Sequence, residues 1–460
     1  IKARLIKECP QLSVAEFEEL QILIDEKIIP AVSACRDSVT TAFSALREFS
    51  GKASGQIGRE IKWRLTQEEL ENPKLRALHE EFVAPAVEDL RSTFKLLHAL
   101  HKRLRDIPQK PDDDEPPVYT ETVQLRAYAN RLDRFANTLA ECTSEELAEN
   151  TVRWIETDAW NDSRIRLVRC PLEVGKPLAE WVYQNLQTII MTSATLTVRR
   201  QFKYLFGRLG LDQCEESRLS TLMLDSPYNF QEQALLCIAN DLCEPNTPAF
   251  LDESVEAIRG ALKASRGHAF VLFTSFAALN HASKALGPEL RRAGITPLRQ
   301  GEATRTQLLE RFRSDAASVL FATDSFWEGV DVAGESLQCV IIPKLPFRVP
   351  TEPILQARAE AIEANGGNAF MEYSVPQAVI KFRQGFGRLI RRRSDRGAIV
   401  VLDRRILTKF YGKIFLDSLP NVLMERGAQC GVFDSLAEFF GNKTATNSTP
   451  KTRKKDQTCE

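Results

Sequence analysis

The stretch Ser318-Val-Leu-Phe-Ala-Thr-Asp-Ser-Phe-Trp-Glu-Gly-Val-Asp331 begins as an unbroken apolar run and ends as a polar, glycine-containing loop. A strand with one face in water alternates apolar and polar residues. Ser318–Ala322 does not, so both of its faces are expected to be covered. Similar short β-rich runs occur at Arg166–Cys170, Thr188–Thr192, Ala234–Ile238, His268–Phe273, Gln338–Ile342 and Gly397–Leu402. Helical stretches separate several of them, namely Val255–Ala264, Thr306–Phe312 and Pro376–Arg391. Alternation of this kind predicts an α/β fold built on a parallel sheet.

Residues 1–150 read instead as helices. Leu90, Phe94, Leu97, His101 and Leu104 form one stripe, and Leu125, Tyr128, Leu132, Phe135 and Leu139 a second. Both have the seam spacing of amphipathic helices. No helix tolerates the Pro111-Asp-Asp-Asp-Glu-Pro-Pro117 segment between them, so an antiparallel hairpin is expected. His101 is read as a core or rim histidine rather than a ligand. The last residues, 441–460, are polar and are expected to form a disordered tail.

At 460 residues the chain has room for two or three domains. Lys and Arg total 61 against 62 Asp and Glu, so net charge announces no nucleic-acid partner and any such site must be local. No apolar run approaches the roughly 20 residues that cross a bilayer. Ten scattered cysteines without a C-x-x-C pair fit a cytoplasmic protein and give no zinc site. The chain starts at Ile1 rather than Met, which is read as a piece of something longer.

The residues with the strongest chemical signal are Gln384-Gly-Phe-Gly-Arg-Leu-Ile-Arg391. On a continuous helix Gln384, Gly387, Arg388 and Arg391 would share one face, and two stacked guanidiniums would clamp phosphate oxygens. Thr192-Ser193-Ala194-Thr195 follows an apolar run, which would set small hydroxyls at the carboxyl end of a strand, where open α/β sheets bind ligands. Its plainer reading is a turn capping the next helix. Thr274 and Ser275 end the run His268–Phe273 and suit sugar-phosphate contact. Asp324, Ser325, Glu328, Gly329 and Asp331 follow the run that opened this section. Carboxylates there would hold a magnesium-bound water or pair with an arginine. Trp327 has two readings, a ring that stacks a base or one that packs beneath its own domain.

Gln-x-x-Gly-Arg-x-x-Arg resembles motif VI of superfamily-two helicases, in particular the DinG branch of the XPD-like group. Thr192–Leu196 resembles motif III, Val271–Phe276 motif IV and Ala322–Asp331 motif V, in the family's order. Ser226–Phe230 and Leu345–Pro350 resemble further parts of this branch. The resemblance runs from about Arg164 to Arg405. It implies a RecA-like lobe over 226–440, preceded by a helical arch-like domain over 1–150 and a remnant of a first RecA-like lobe over 151–225. It also implies a DNA helicase driven by ATP and Mg2+ and moving on single-stranded DNA, RNA not being excluded. Within it, Arg388, Arg391 and Gln384 would act on the phosphates. Ser193, Thr195, Gly387 and the loop carboxylates Asp324, Glu328 and Asp331, with Gly329, would couple the nucleotide to lobe closure. Thr274, Ser275, Ser325 and Trp327 would meet the strand.

The phosphate-cradling G-x-x-x-x-G-K-[ST] loop of such motors does not occur in these 460 residues. Gly51-Lys52, Gly175-Lys176 and Gly412-Lys413 lack the earlier glycine, where Leu46, Cys170 and Leu407 stand, and none precedes Ser or Thr. No Asp-Glu-x-His box is present either. The expectation is therefore half of a motor, whose ATP and Mg2+ are bound mainly by an N-terminal lobe. Alternatives are a non-catalytic nucleic-acid adaptor, which a start codon immediately before Ile1 would favour, and an unrelated nucleotide-sugar enzyme.

Overall fold

The computed structural model describes residues 9, 12–54, 61–108, 118–158, 164–315, 317–323, 326–327, 332, 336–348 and 352–441. Two compact units emerge, one of Ile1–Glu173 with Pro350–Arg358, the other of Val174–Val349 with Ala359–Glu460. The Pro111–Pro117 break and the 442–460 part of the tail lie outside the described residues.

The first unit is mainly helical. Long helices α1 (Ile29–Ser54), α2 (Ala84–Arg105) and α3 (Tyr119–Thr143) stand beside an antiparallel sheet of β1 (Ile61–Arg64), β2 (Thr151–Thr157) and β3 (Ile165–Pro171). Leu97, Leu100 and Leu104 of α2 share a core with Leu125 and Ala129 of α3, while Leu90 meets Ala136 and Leu139. Late α2 therefore meets early α3, the expected antiparallel hairpin. One stripe needs correction. Tyr128 and Phe135 are 60% and 51% exposed, and the seam of α3 is Thr122, Leu125, Ala129, Ala136 and Leu139. Small alanines let the helix axes approach, and the bulky rings are turned to the flank. His101 is 8% exposed at the rim of the seam, and burial pushes its pKa down.

The Arg166–Cys170 run also needs correction, together with the expected boundary at 150. It forms β3, antiparallel to β2, and residues 151–173 belong to the helical unit. Ile165 and Leu167 pack on the core while Arg166, between them on the other face, pairs with Glu156. This is the alternation of a strand with one wet face. Arg153 of β2 is 1% exposed and donates to the carbonyls of Glu141, Ser144 and Glu146, fixing the turn that leaves α3.

The second unit holds a parallel seven-stranded sheet in the order β10-β4-β9-β8-β5-β7-β6. Its strands are β4 (Ala234–Ala239), β5 (Ala269–Leu272), β6 (Thr296–Arg299), β7 (Ser318–Ala322), β8 (Cys339–Ile342), β9 (Gly397–Val401) and β10 (Leu423–Gly427). Helices α4 (Ala249–Ser265), α5 (Phe276–Arg292), α6 (Arg305–Ser314), α7 (Val375–Phe386) and α8 (Gln429–Phe439) cover it. Neighbouring residues of one strand enter opposite cores: Leu320 and Ala322 pack in one, Val319 and Phe321 in the other. That is why the strands read as continuous apolar runs. Each fully buried Val, Leu or Phe contributes about 1.5–3 kcal/mol.

Thr188–Thr192 joins neither sheet, against expectation, and Ile190 is 83% exposed. A strand needs a neighbour to take up its backbone donors and acceptors, and none of the described strands lies beside it.

Candidate functional site

Helix α7 ends sooner than the motif spacing predicts. Its last residue is Phe386, with Gly387 as cap. The Gly387 N–H reaches the Arg383 carbonyl at 2.8 Å, and the chain then tightens through Leu389 N–H to Phe386 O at 3.2 Å. The Asp395 carboxylate accepts from the amides of Arg391 and Arg392 at 2.9 and 2.8 Å. Glycine favours helix continuation less than alanine by about 1 kcal/mol, and Asp395 captures donors that a longer helix would have kept. Gln384 is therefore helical, whereas Arg388 and Arg391 lie in the turn beyond, so the shared helix face is not formed.

Arg388 is 5% exposed, and its Nε donates to the Trp327 carbonyl at 2.9 Å, with Nη2 on the same oxygen. Trp327 itself is fully buried. Its ring lies against Gly385, where an added Cβ would come within 3.2 Å, and beneath the Lys381 ammonium at 5.5 Å. Of its two readings, packing is the one realised. A ring with no exposed surface stacks no base, and the assignment of Trp327 to the nucleic acid is corrected accordingly.

Arg383, which the sequence reading passed over, links two of the predicted segments. Its Nη2 donates to the Ala194 carbonyl at 3.2 Å, and its Nη1 to the carbonyl and hydroxyl of Thr197. Burial lowers its pKa. Ser193 Oγ accepts from Thr195 N–H at 3.2 Å; Ser193 is exposed and Thr195 half-buried. Ser193, Thr195, Gln384, Gly387, Arg388 and Arg391 thus line one open cavity of about 1620 Å³. The Gln384 Oε1 atom is buried there with no hydrogen-bond partner. The turn carrying Arg391 is braced from behind. Tyr228 donates its hydroxyl to the Arg391 carbonyl, and Gln233 Nε2 donates to the carbonyls of Arg392, Arg393 and Asp395 at 2.9–3.1 Å. The Ser226–Phe230 segment was legible as part of the resemblance. Gln233 carried no signal because its partners lie about 160 residues away, and Asp395 none because its carboxylate takes backbone amides three and four residues before it, which no residue type marks.

Thr274 and Ser275 sit elsewhere, past the carboxyl end of β5. Ser275 caps α5, its Oγ accepting from Ala278 N–H at 3.3 Å. Asp324, Ser325, Glu328, Gly329 and Asp331 lie outside the described residues. Among the described residues no group of three or more His, Cys, Asp or Glu side chains is placed to hold a metal ion. None of their helices is long and apolar enough to cross a membrane.

Residues 258–422 match the family described as helicase C-terminal domain. The chain is 41% identical over 255 residues to the ATP-dependent DNA helicase YoaA of Escherichia coli K12, covering 55% of this chain and 39% of that protein. It is 35% identical over 335 residues to the ATP-dependent DNA helicase DinG of Photobacterium profundum, covering 72% of this chain and 48% of that protein. Over these stretches the chain is similar to DinG-like helicases. It spans two fifths to a half of the length of these relatives. The solved structure titled XPD_Helicase aligns with a TM-score of 0.44 at 15% identity, over 77% of this chain and 67% of that one. Thr274, Ser275, Trp327, Gln384, Gly387, Arg388 and Arg391 all fall inside the matched domain.

Proposed function

We propose that this chain supplies the second motor lobe and a helical arch-like domain of an ATP-dependent DNA helicase, acting on single-stranded DNA. The observation that carries the reading is the cavity in which Arg383 binds the Thr192–Thr197 segment beside Gln384 and Arg391. The triphosphate would lie between this cavity and a first RecA-like lobe that bears the phosphate loop. Mg2+, held mainly by that lobe, would neutralise charge on the phosphates.

The two arginines then divide the work. Arg391, half-buried at the cavity wall, would stabilise charge developing on the transferred γ-phosphoryl group. Arg388, buried on the Trp327 carbonyl, acts through the loop it anchors. Gln384 Oε1, a buried acceptor without a partner, is suited to receive a hydrogen bond from the attacking water. Ser193 and Thr195, held to α7 through Arg383, would pass the nucleotide state to lobe closure. The apolar segments around Ile190 and Leu222–Leu224, the latter with two residues nearly four-fifths exposed, fit strands of that first lobe's sheet.

The test is ATP turnover stimulated by single-stranded DNA in a protein that joins this chain to a phosphate-loop lobe. Arg391→Ala is expected to lower turnover by about 10³-fold, the scale of an arginine finger, with a much smaller loss of ATP affinity. Near-normal turnover in that variant overturns the assignment. The 460-residue chain by itself is expected to show no ATP turnover, since its sequence holds no phosphate-cradling loop to position the triphosphate.

A further inference from the structure

We infer that Ser418 is a positioning residue for the proposed ATP-driven reaction: through the backbone amide of Arg199 it fixes the direction in which the Ser193 and Thr195 hydroxyls face the cavity. The inference rests on the helicase reading above. Its starting point is the backbone just after Thr197. Val198 and Gln201 exchange both hydrogen bonds of a two-residue hairpin, at 3.1 and 3.0 Å. The two residues between them, Arg199 and Arg200, have left-handed backbone, with φ of 50° and 60°. A turn of that hand favours Asn and Gly, and residues with a longer side chain adopt it at a cost. Something around the turn must therefore hold it.

The ion pairs of the turn do not hold it. Arg200 meets Asp225 at 3.1 Å and Arg199 meets Asp417 at 3.5 Å, and all four side chains are exposed, so these pairs contribute little. Ser418 is different. It caps the short helix Gly412–Asp417 and is 7% exposed. Its hydroxyl donates to the Ile414 carbonyl at 2.7 Å and accepts from the Arg199 amide at 3.1 Å. Phe415 of that helix packs on Phe382 of α7, with ring centroids 5.5 Å apart, and Val198 lies against the same core. The Thr192–Thr197 segment is thus joined to α7 by two routes. Arg383 holds it directly at Ala194 and Thr197, and two residues later Arg199, Ser418 and Phe415 hold it again. A segment held by one side chain swings with that side chain. A second attachment, on another element, removes the swing, and small errors in direction are costly where groups must meet a reacting phosphate.

The test has two arms. In the 460-residue chain, Ser418→Ala is expected to speed hydrogen exchange of the Arg199 amide about 5- to 100-fold, the range for a donor left unmatched, with the β8 amides unchanged. In the protein that joins this chain to a phosphate-loop lobe, the same variant is expected to lower the ratio of strand-stimulated to unstimulated ATP turnover about 5- to 100-fold. Loss of folded protein would lower both rates alike and leave that ratio unchanged. Arg199→Gly keeps the amide and accepts the left-handed backbone, so its ratio should stay within about twofold of the parent. Ser418→Cys, close in size but a weaker acceptor, should fall between the two and replaces Ser418→Ala if that variant does not fold. Unchanged exchange at Arg199 removes the attachment and overturns the inference. Faster exchange with an unchanged ratio overturns the positioning role while the helicase reading stands. A loss in Arg199→Gly as large as in Ser418→Ala also overturns it, because the side chain rather than the amide would carry the effect. If the joined parent protein hydrolyses no ATP with the strand present, the helicase reading fails and takes the positioning role with it.

Discussion

Strand β8 and the segment Thr188–Thr192 are both short and rich in β-branched residues, yet they end in opposite states. Cys339–Ile342 is wholly buried between β9 and β5, whereas Ile190 is 83% exposed in an extended segment outside both sheets. Apolar character sets how much a strand gains once covered, about 25 cal/mol per Å². It does not supply the neighbour that completes the hydrogen-bond ladder. The contrast separates a property of the residues from a property of their surroundings, and three measurements bear on it.

The largest expected effect is in amide hydrogen exchange. Amides of β4, β8 and β9 should exchange only on global opening, at least about 10³-fold slower than those of 188–192, which should exchange almost as in an unfolded chain. Comparable protection in both would mean that Thr188–Thr192 has found a partner. Next, Ile341→Asp should cost more than about 4 kcal/mol by placing an unpaired carboxylate in the sheet, while Ile190→Asp should stay within about 0.5 kcal/mol. Denaturant midpoints compare them directly, and equal losses would erase the distinction.

The smallest effect carries the comparison into the helical unit. Ala136 is fully buried in the seam of α3, and its neighbour Phe135 is half exposed with the Arg131 guanidinium 5.4 Å above its ring. Ala136→Leu should cost about 1–3 kcal/mol by overpacking, and Phe135→Ala should cost within about 0.5 kcal/mol. The reverse order in thermal melts would restore the aromatic stripe as the seam.

These cases mark where the sequence was legible. The central strands β4, β5, β7, β8 and β9 were readable because burial on both faces leaves a mark on every residue. Edge strands β6 and β10 were not: Thr-Pro-Leu-Arg and Leu-Met-Glu-Arg-Gly mix polar and apolar residues, as edges do. In α3 the rings stood out by size, although packing selected the alanines. At the site, the residues bearing the motif spacing were named, but not the partners that hold them. Arg383, Asp395, Gln233 and Tyr228 act through backbone carbonyls and amides, which any sequence supplies everywhere.

The α/β class, the helical front, the order of the motif segments and their chemistry were determined by the sequence alone, because periodicity and residue type are local. Which arginine faces the cavity was decided only in three dimensions. Asp395 took the amides of Arg391 and Arg392, Gly387 ended α7, and the Trp327 carbonyl drew in Arg388. The first two contacts are local, whereas the third joins residues 61 positions apart, and only the folded backbone brings that donor and acceptor together.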